Sequence, residues 1–363
     1  MNNNEFLSLL CRRQDAVIDA LRSATQFAAA SAVLDCDLAA LRALDKAALE
    51  RIERDAGGWS ALHVAAACGW REGAEHLLDL GLDPHAEVRP FRCSAVDLAC
   101  LLREPVDVAH RVADLVDAVD GTRRALTGAE WRALTGSGFI NRPTAPPAYV
   151  AQLLLGDGLV VPNVLIDDEH NEPVVARALQ RLRRLKPDDP GHHDALVLGW
   201  CHDDIGFGVF TDRDLVDLEF IAVYVGAVQP VPPRDVGLAH RYSFAMSLSN
   251  TRDEWVGGSR QFNVNGQHWR NIAPILNHSR LETNVGVRWL VWGGLVLALL
   301  FTNCHVPRGQ QLVYNYGRSW CRLRQIDERE LLRDSAPFAS PGWLVPLTWP
   351  SPERPAVAPD PRL

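Results

Sequence analysis

The longest apolar run in the chain, residues 289–301, constrains the fold more than any other segment. It is shorter than the roughly 20 residues a membrane-spanning helix needs. Gly293-Gly294 also splits it near its middle. Such a run, broken by two residues that tolerate positive φ, reads as two buried strands joined by a tight turn. The expectation is a β-hairpin in the core of a β-rich region, and no membrane segment.

The flanking sequence agrees. From Ala195 onward, short apolar runs such as Phe220-Ile221-Ala222-Val223-Tyr224-Val225 alternate with turn residues, a strand-rich pattern. The first third is instead rich in alanine and leucine. There Gly58-Trp59-Ser60-Ala61-Leu62-His63-Val64-Ala65-Ala66 precedes Leu77-Leu78-Asp79-Leu80-Gly81, and Ser94-Ala95-Val96-Asp97-Leu98-Ala99-Cys100 repeats the Ser60 segment 34 residues later. The pattern resembles ankyrin repeats. Small residues such as Ala65, Ala66 and Ala67 let helices stack, and Leu62, Leu77 and Leu78 supply a shared core. An array over residues 1–120 is expected, with a degenerate unit at 28–54 and the N-terminal helix as its cap. His63 takes a structural place in its turn.

Residues 121–193 read as a linker and flanking helical region. Thr135-Gly136-Ser137-Gly138 and Pro143-Thr144-Ala145-Pro146-Pro147 have linker composition. Residues 173–185 suit a helix with Val175, Ala178, Leu179, Leu182 and Leu185 on one face. Its Arg181, Arg183, Arg184 and Lys186 read as a solvated face, with a nuclear-localisation patch as the alternative. Asp167-Asp168-Glu169 reads as a polar loop, or as a contact for a basic peptide. Residues 194–317 form the β-rich domain, and 318–363 a C-terminal flanking segment with a proline-rich tail. The fold class expected is α+β and multidomain.

Composition narrows the function. A formal charge of −8 disfavours a broad nucleic-acid surface and suits a basic partner. The eight cysteines form no C-x-C or C-x-x-C pair, which argues against a zinc site or a disulfide framework, and no metal is expected. The start of the chain is polar and lacks the basic opening of a signal peptide. No G-x-S-x-G, H-E-x-x-H or G-K-[ST] occurs, against the common serine hydrolase, zinc protease and P-loop patterns.

Four short motifs then follow in order: Gly206-Phe207-Gly208, Tyr224-Val225-Gly226, Asn277-His278-Ser279 and Tyr314-Asn315-Tyr316-Gly317. Each alone is weak; the third is preceded by Arg270-Asn271-Ile272-Ala273. Together they resemble a SET domain, with a pseudoknot-like C-terminal segment. The resemblance implies an S-adenosylmethionine-dependent protein lysine N-methyltransferase. It implies that Gly206, Gly208, Tyr242, Asn277, His278 and Tyr316 bind the cofactor. It also implies that Tyr316 is the catalytic tyrosine, and that Tyr224 and Tyr314 line the lysine passage. A hydroxyl at Tyr314 leaves less room and implies mono-methylation. Arg280-Leu281-Glu282-Thr283-Asn284 stands where the family carries Cys-x-Pro-Asn. No cysteine-rich zinc segment follows Gly317, and Trp320 is a candidate to cover the site or to serve in packing. The chain has five tyrosines, and three fall on these motif positions.

The implied partners are a protein with an exposed lysine (a histone or a bacterial protein with a basic tail) and a second protein bound through the repeats. The combination resembles bacterial effectors. That implies the bacterial cytoplasm, or secretion into a host cell and its nucleus. The alternative is a non-catalytic interaction scaffold whose SET domain is degenerate.

Overall fold

Local signals in the first hundred residues all favour helices, and the computed structural model contains them. It describes residues 2–10, 12–89, 91–105, 108–116, 123–156, 173–186, 189–202, 206–230, 243–244, 262–279 and 283–316. Helix α1 (Asn3–Leu9) opens with a capping box between Asn2 and Glu5. The box satisfies two N–H groups that a helix start leaves open. Next come α2 (Asp15–Arg22), a 3-10 turn (Thr25–Ala30), α3 (Ser31–Leu34), α4 (Leu38–Arg42) and α5 (Lys46–Asp55), the last two capped by Asp37 and Asp45. Helix α6 (Ala61–Cys68) is buried along its whole length and stops at Gly69, φ +69°. Its alanines let α7 (Arg71–Asp79) and α8 (Ala95–Leu101) pack closely against it.

The Ser60 and Ser94 segments play the same part, since each opens a helix with a capping box. The expected second helix of the later unit is not found among the described residues. After α8 the chain enters β1 (Arg111–Val116), which pairs in parallel with β4 (Leu196–His202) and antiparallel with β2 (Arg123–Thr127). A domain boundary near residue 120 would therefore cut through a sheet.

The segments with linker composition are ordered. Helix α9 (Gly128–Thr135) ends at Gly136 in the left-handed conformation, and Ser137 is fully buried. Strand β3 (Gly138–Phe139) pairs with β9 (Phe262–Arg270), and a Cβ on Gly138 would overlap the Trp269 ring. The Ala145 N–H donates to the Leu101 carbonyl at 2.7 Å, just ahead of α10 (Pro147–Leu154). Glycine here permits close approach and does not mark looseness. Helix α11 (Pro173–Arg184) buries Val175, Ala178, Leu179 and Leu182, as its periodicity predicts. Its basic face is not simply solvated. Arg181 donates to the His192 carbonyl at 2.6 Å and stacks over Phe220, and Arg183 pairs with Glu87 and Asp97.

Among the described residues the strands form three sheets. The first runs β10 (Asn277–His278), β13 (Gln311–Tyr314), β5 (Gly206–Thr211), β4, β1, β2. The second runs β11 (Val285–Trp292), β12 (Leu295–Thr302), β6 (Phe220–Val223). The third joins β3, β9 and β7 (Gly226–Pro230), with β8 (Ser243–Phe244) on β9. The apolar run forms the expected hairpin: β11 and β12 pair antiparallel down to Trp292 opposite Leu295. Gly293 and Gly294 have φ of +57° and +74°, the turn geometry that matches strand twist. The tip enters the helical region, where Gly293 and Gly294 N–H donate to the Arg92 and Phe91 carbonyls. One continuous core of buried residues runs from Phe6 to Tyr314.

Asp97 is 1% exposed and accepts from Trp292 Nε1 at 2.7 Å. Asp97→Ala leaves the Trp292 N–H and the Arg183 guanidinium short of a buried partner. It is expected to cost on the order of 3 kcal/mol, read as a lower urea midpoint with an unchanged slope. His63 is buried, with Nδ1 bonded to the Ser60 hydroxyl and Nε2–H donating to Ala86 O, and burial lowers its pKa to about 4. The unfolded chain therefore takes up this proton first. The contribution is full above about pH 6.5 and is lost as pH falls toward 4. Between pH 7 and 5 the protein should lose roughly 2 kcal/mol that a His63→Asn variant does not lose.

Candidate functional site

Strand pairing brings distant motifs together. Strand β13 lies between β10 and β5, with Asn277 opposite Val313, His278 opposite Tyr314, and Leu312 opposite Val209. Residues 206–208, 277–278 and Tyr314 thereby occupy neighbouring strands, and Tyr316 lies just past the end of β13. The Tyr316 N–H donates to His278 Nδ1 at 3.0 Å, and their rings lie 5.1 Å apart. That bond fixes the tautomer with the proton on Nε2. The Tyr316 hydroxyl donates to the Leu276 carbonyl, and the Tyr314 and Tyr316 rings are 4.7 Å apart.

Tyr224 and Tyr314 are both buried, and the Tyr224 N–H donates to Ala298 O at 2.8 Å. Burial holds the Tyr314 phenol well above its ordinary pKa, and the nearby Tyr224 raises it further. It therefore stays neutral. Asn277 and His278 are half-buried.

The two glycines of β5 differ in role. Gly206 has φ +81°, and a Cβ there would meet nothing within 4 Å, so open space lies beside it. Gly208 faces protein: a Cβ would overlap Cys201 Sγ and the Gln311 amide, and would crowd Asn277 Nδ2 at 3.1 Å. Tyr242, Gly317 and Trp320 lie outside the described residues, as do residues 167–169 and the segment after Gly317.

Three further residues, to which the motifs gave no role, hold the site. The buried Asn284 donates to Gln311 O at 2.8 Å and accepts from the Val313 N–H at 2.9 Å. Gln311 and Cys201 pack beneath Asn277. Gln311 carried a signal, as the one polar side chain in the apolar strand Gln311-Leu312-Val313-Tyr314. Asn271, within the recognised Arg270–Ala273 segment, donates to Val223 O at 2.8 Å and anchors the approach to Tyr224. Among the described residues no group of three or more His, Cys, Asp or Glu is placed to hold a metal ion, and no helix is long and apolar enough to cross a membrane.

The SET domain family matches residues 206–317, the stretch that carries Gly206, Asn277, His278 and Tyr316. The match thus falls within the β-rich part of the chain, and the part that precedes it is largely helical in its first hundred residues. Similar solved structures include KRYPTONITE in complex with mCHG DNA and SAH, at 18% identity and TM-score 0.28, covering 36% of this chain and 25% of that one. The Neurospora SET domain protein DIM-5, a histone lysine methyltransferase, is 20% identical with TM-score 0.30, covering 44% and 67%. ATXR5 in complex with histone H3.1 mono-methylated on R26 is 17% identical with TM-score 0.37, covering 52% and 84%. The chain spans only a quarter of the length of KRYPTONITE. No curated protein matches the chain in sequence.

Asn284→Ala should release β13. Two buried backbone groups lose partners, at about 2–3 kcal/mol together, and amide exchange at Leu312 and Val313 should accelerate selectively over that of β12.

Proposed function

We propose that this chain is an S-adenosylmethionine-dependent protein lysine N-methyltransferase. The observation that carries the reading is the Tyr316 N–H to His278 Nδ1 bond, which joins the Asn-His-Ser and Tyr-x-Tyr motifs beside two buried tyrosines. The match of residues 206–317 to the SET domain family supports it.

The residues present fit the cofactor: Gly206 leaves open space, Asn277 beside it bonds the Phe207 carbonyl, and Asn277 and His278 are half-buried polar groups. These three and Tyr316 would hold it. When bound, S-adenosylmethionine supplies the electrophilic methyl group. The chain's own task is to deliver a lysine amine in the neutral form, because the lone pair attacks. Free lysine has a pKa of about 10.4. The desolvation that raises the Tyr314 phenol acts on an amine in the opposite direction and favours its uncharged form. Tyr314 and Tyr224 would exclude water and orient the amine. Tyr316 would align it, since its hydroxyl is already tethered to the Leu276 carbonyl. A phenol with a pKa near 10 is a poor base at neutral pH, so positioning suits Tyr316 better than proton abstraction.

The substrate we assign is a lysine in a basic protein segment, histone or bacterial, in keeping with the chain's charge of −8. The helical region, with its repeated Ser60 and Ser94 segments, we assign as an ankyrin-type surface that orients this partner.

Calorimetric titration with S-adenosylmethionine should show binding; absence of binding would favour the scaffold alternative. Tyr316→Phe should lower methyl transfer to a basic protein fraction by about 100-fold while the protein stays folded. Parental transfer by that variant would remove the assignment. Tyr314→Phe should raise the di- and tri-methylated share of product in mass spectra.

A further inference from the structure

Beneath Asn277, four strands meet in the gap left by a missing side chain. Cys201 comes from β4, Gly208 from β5, Asn277 from β10 and Gln311 from β13. Gln311 is 5% exposed, and its Nε2 donates to Cys201 Sγ at 3.1 Å. Asn277 Nδ2 donates to the Phe207 carbonyl at 3.3 Å and makes a longer contact, 3.7 Å, with the same sulfur. The thiol is thus an acceptor shared by two carboxamides, and burial, the largest influence, pushes its pKa up to about 12. It therefore stays protonated and unreactive at neutral pH.

The geometry has a directional consequence. A carboxamide carries two N–H donors on one side and an acceptor oxygen on the other. In Asn277 the nitrogen is turned inward, to Phe207 and Cys201. The oxygen is then the atom left to face the half-buried side. The inward-facing Gln311 and Cys201 set which end of the Asn277 amide is presented. Gly208 is required because any Cβ would fill the space in which the thiol and the two amides meet.

We propose that Gln311 and Cys201 are positioning residues that lock the orientation of the Asn277 carboxamide, and through it the affinity of the site for S-adenosylmethionine. The value of the lock for cofactor binding rests on the methyltransferase reading; the lock itself does not. A sulfur is a weak acceptor, so its contribution is modest and shared with Gln311. Each inward bond is a neutral one whose loss costs about fivefold to tenfold in an equilibrium.

Two measurements on the full chain test this. The first is the side-chain amide resonance pair of Asn277 in nitrogen-15 spectra without ligand. In the parent it should be dispersed and slow to exchange. In Gln311→Ala and in Cys201→Ala it should move toward free-amide positions, while Cys201→Ser, which keeps an acceptor, should retain it. An Asn277 pair unchanged in both alanine variants overturns the proposal, whether or not the cofactor binds. The second is a double-mutant cycle for S-adenosylmethionine binding by calorimetry. Gln311→Ala should weaken binding about fivefold to tenfold in the parent and not at all in the Asn277→Ala background. Equal losses in both backgrounds would show that Gln311 acts independently of Asn277 and would also overturn it. If the resonances respond as expected and the parent binds no cofactor, the lock stands and the methyltransferase reading falls.

Discussion

The carboxylate of Asp97 holds three parts of the chain at once. It accepts from the Ser94 N–H at 2.9 Å and the Ser94 hydroxyl at 2.8 Å, which starts α8. It accepts from Trp292 Nε1 at the end of β11, and from Arg183 of α11 at 3.3 Å. A buried charge without partners would be expensive. Here Ser94, Trp292 and Arg183 all donate to it, and Glu87 and Arg92 extend the network. A helix cap has thus become the junction between the helical part and the strands.

That junction connects to the site through the hairpin. Hydrogen bonds to Phe91, Arg92 and Asp97 anchor the tip of β11–β12 and so restrict the strands behind it. Ala298 on β12 accepts from the Tyr224 N–H, and Asn284, just before β11, clamps β13 through Gln311 and Val313. Tyr314 on β13 and Tyr224 just after β6 are therefore held by strands whose register is set elsewhere. Such support from rigid elements keeps a reactive geometry within tight limits.

Gly206, Tyr224, Asn277, His278, Tyr314 and Tyr316 each belong to a short local pattern that the sequence displays directly. Support for them was not local. Asn284 sits in a stretch that departs from the family pattern, and nothing in its neighbours reveals that its amide bonds two backbone groups of β13. Cys201 stands alone in sequence, and its value depends on two amides contributed from 76 and 110 residues away. The linker reading of residues 135–138 failed for a related reason: glycine marks both loose chain and tight backbone approach, and only the Trp269 ring above Gly138 distinguishes them.

Periodicity and turn chemistry alone determined the hairpin at Gly293-Gly294, the apolar face of α11 and the capped starts of α6 and α8. These depend on interactions within a few residues, which a sequence displays directly. Tertiary structure decided that the repeat region shares one core with the strands, that β13 inserts between β10 and β5, and that Arg181 and Arg183 turn inward. Those outcomes rest on donors and acceptors far apart in the chain, whose mutual satisfaction appears only once the strands are in register.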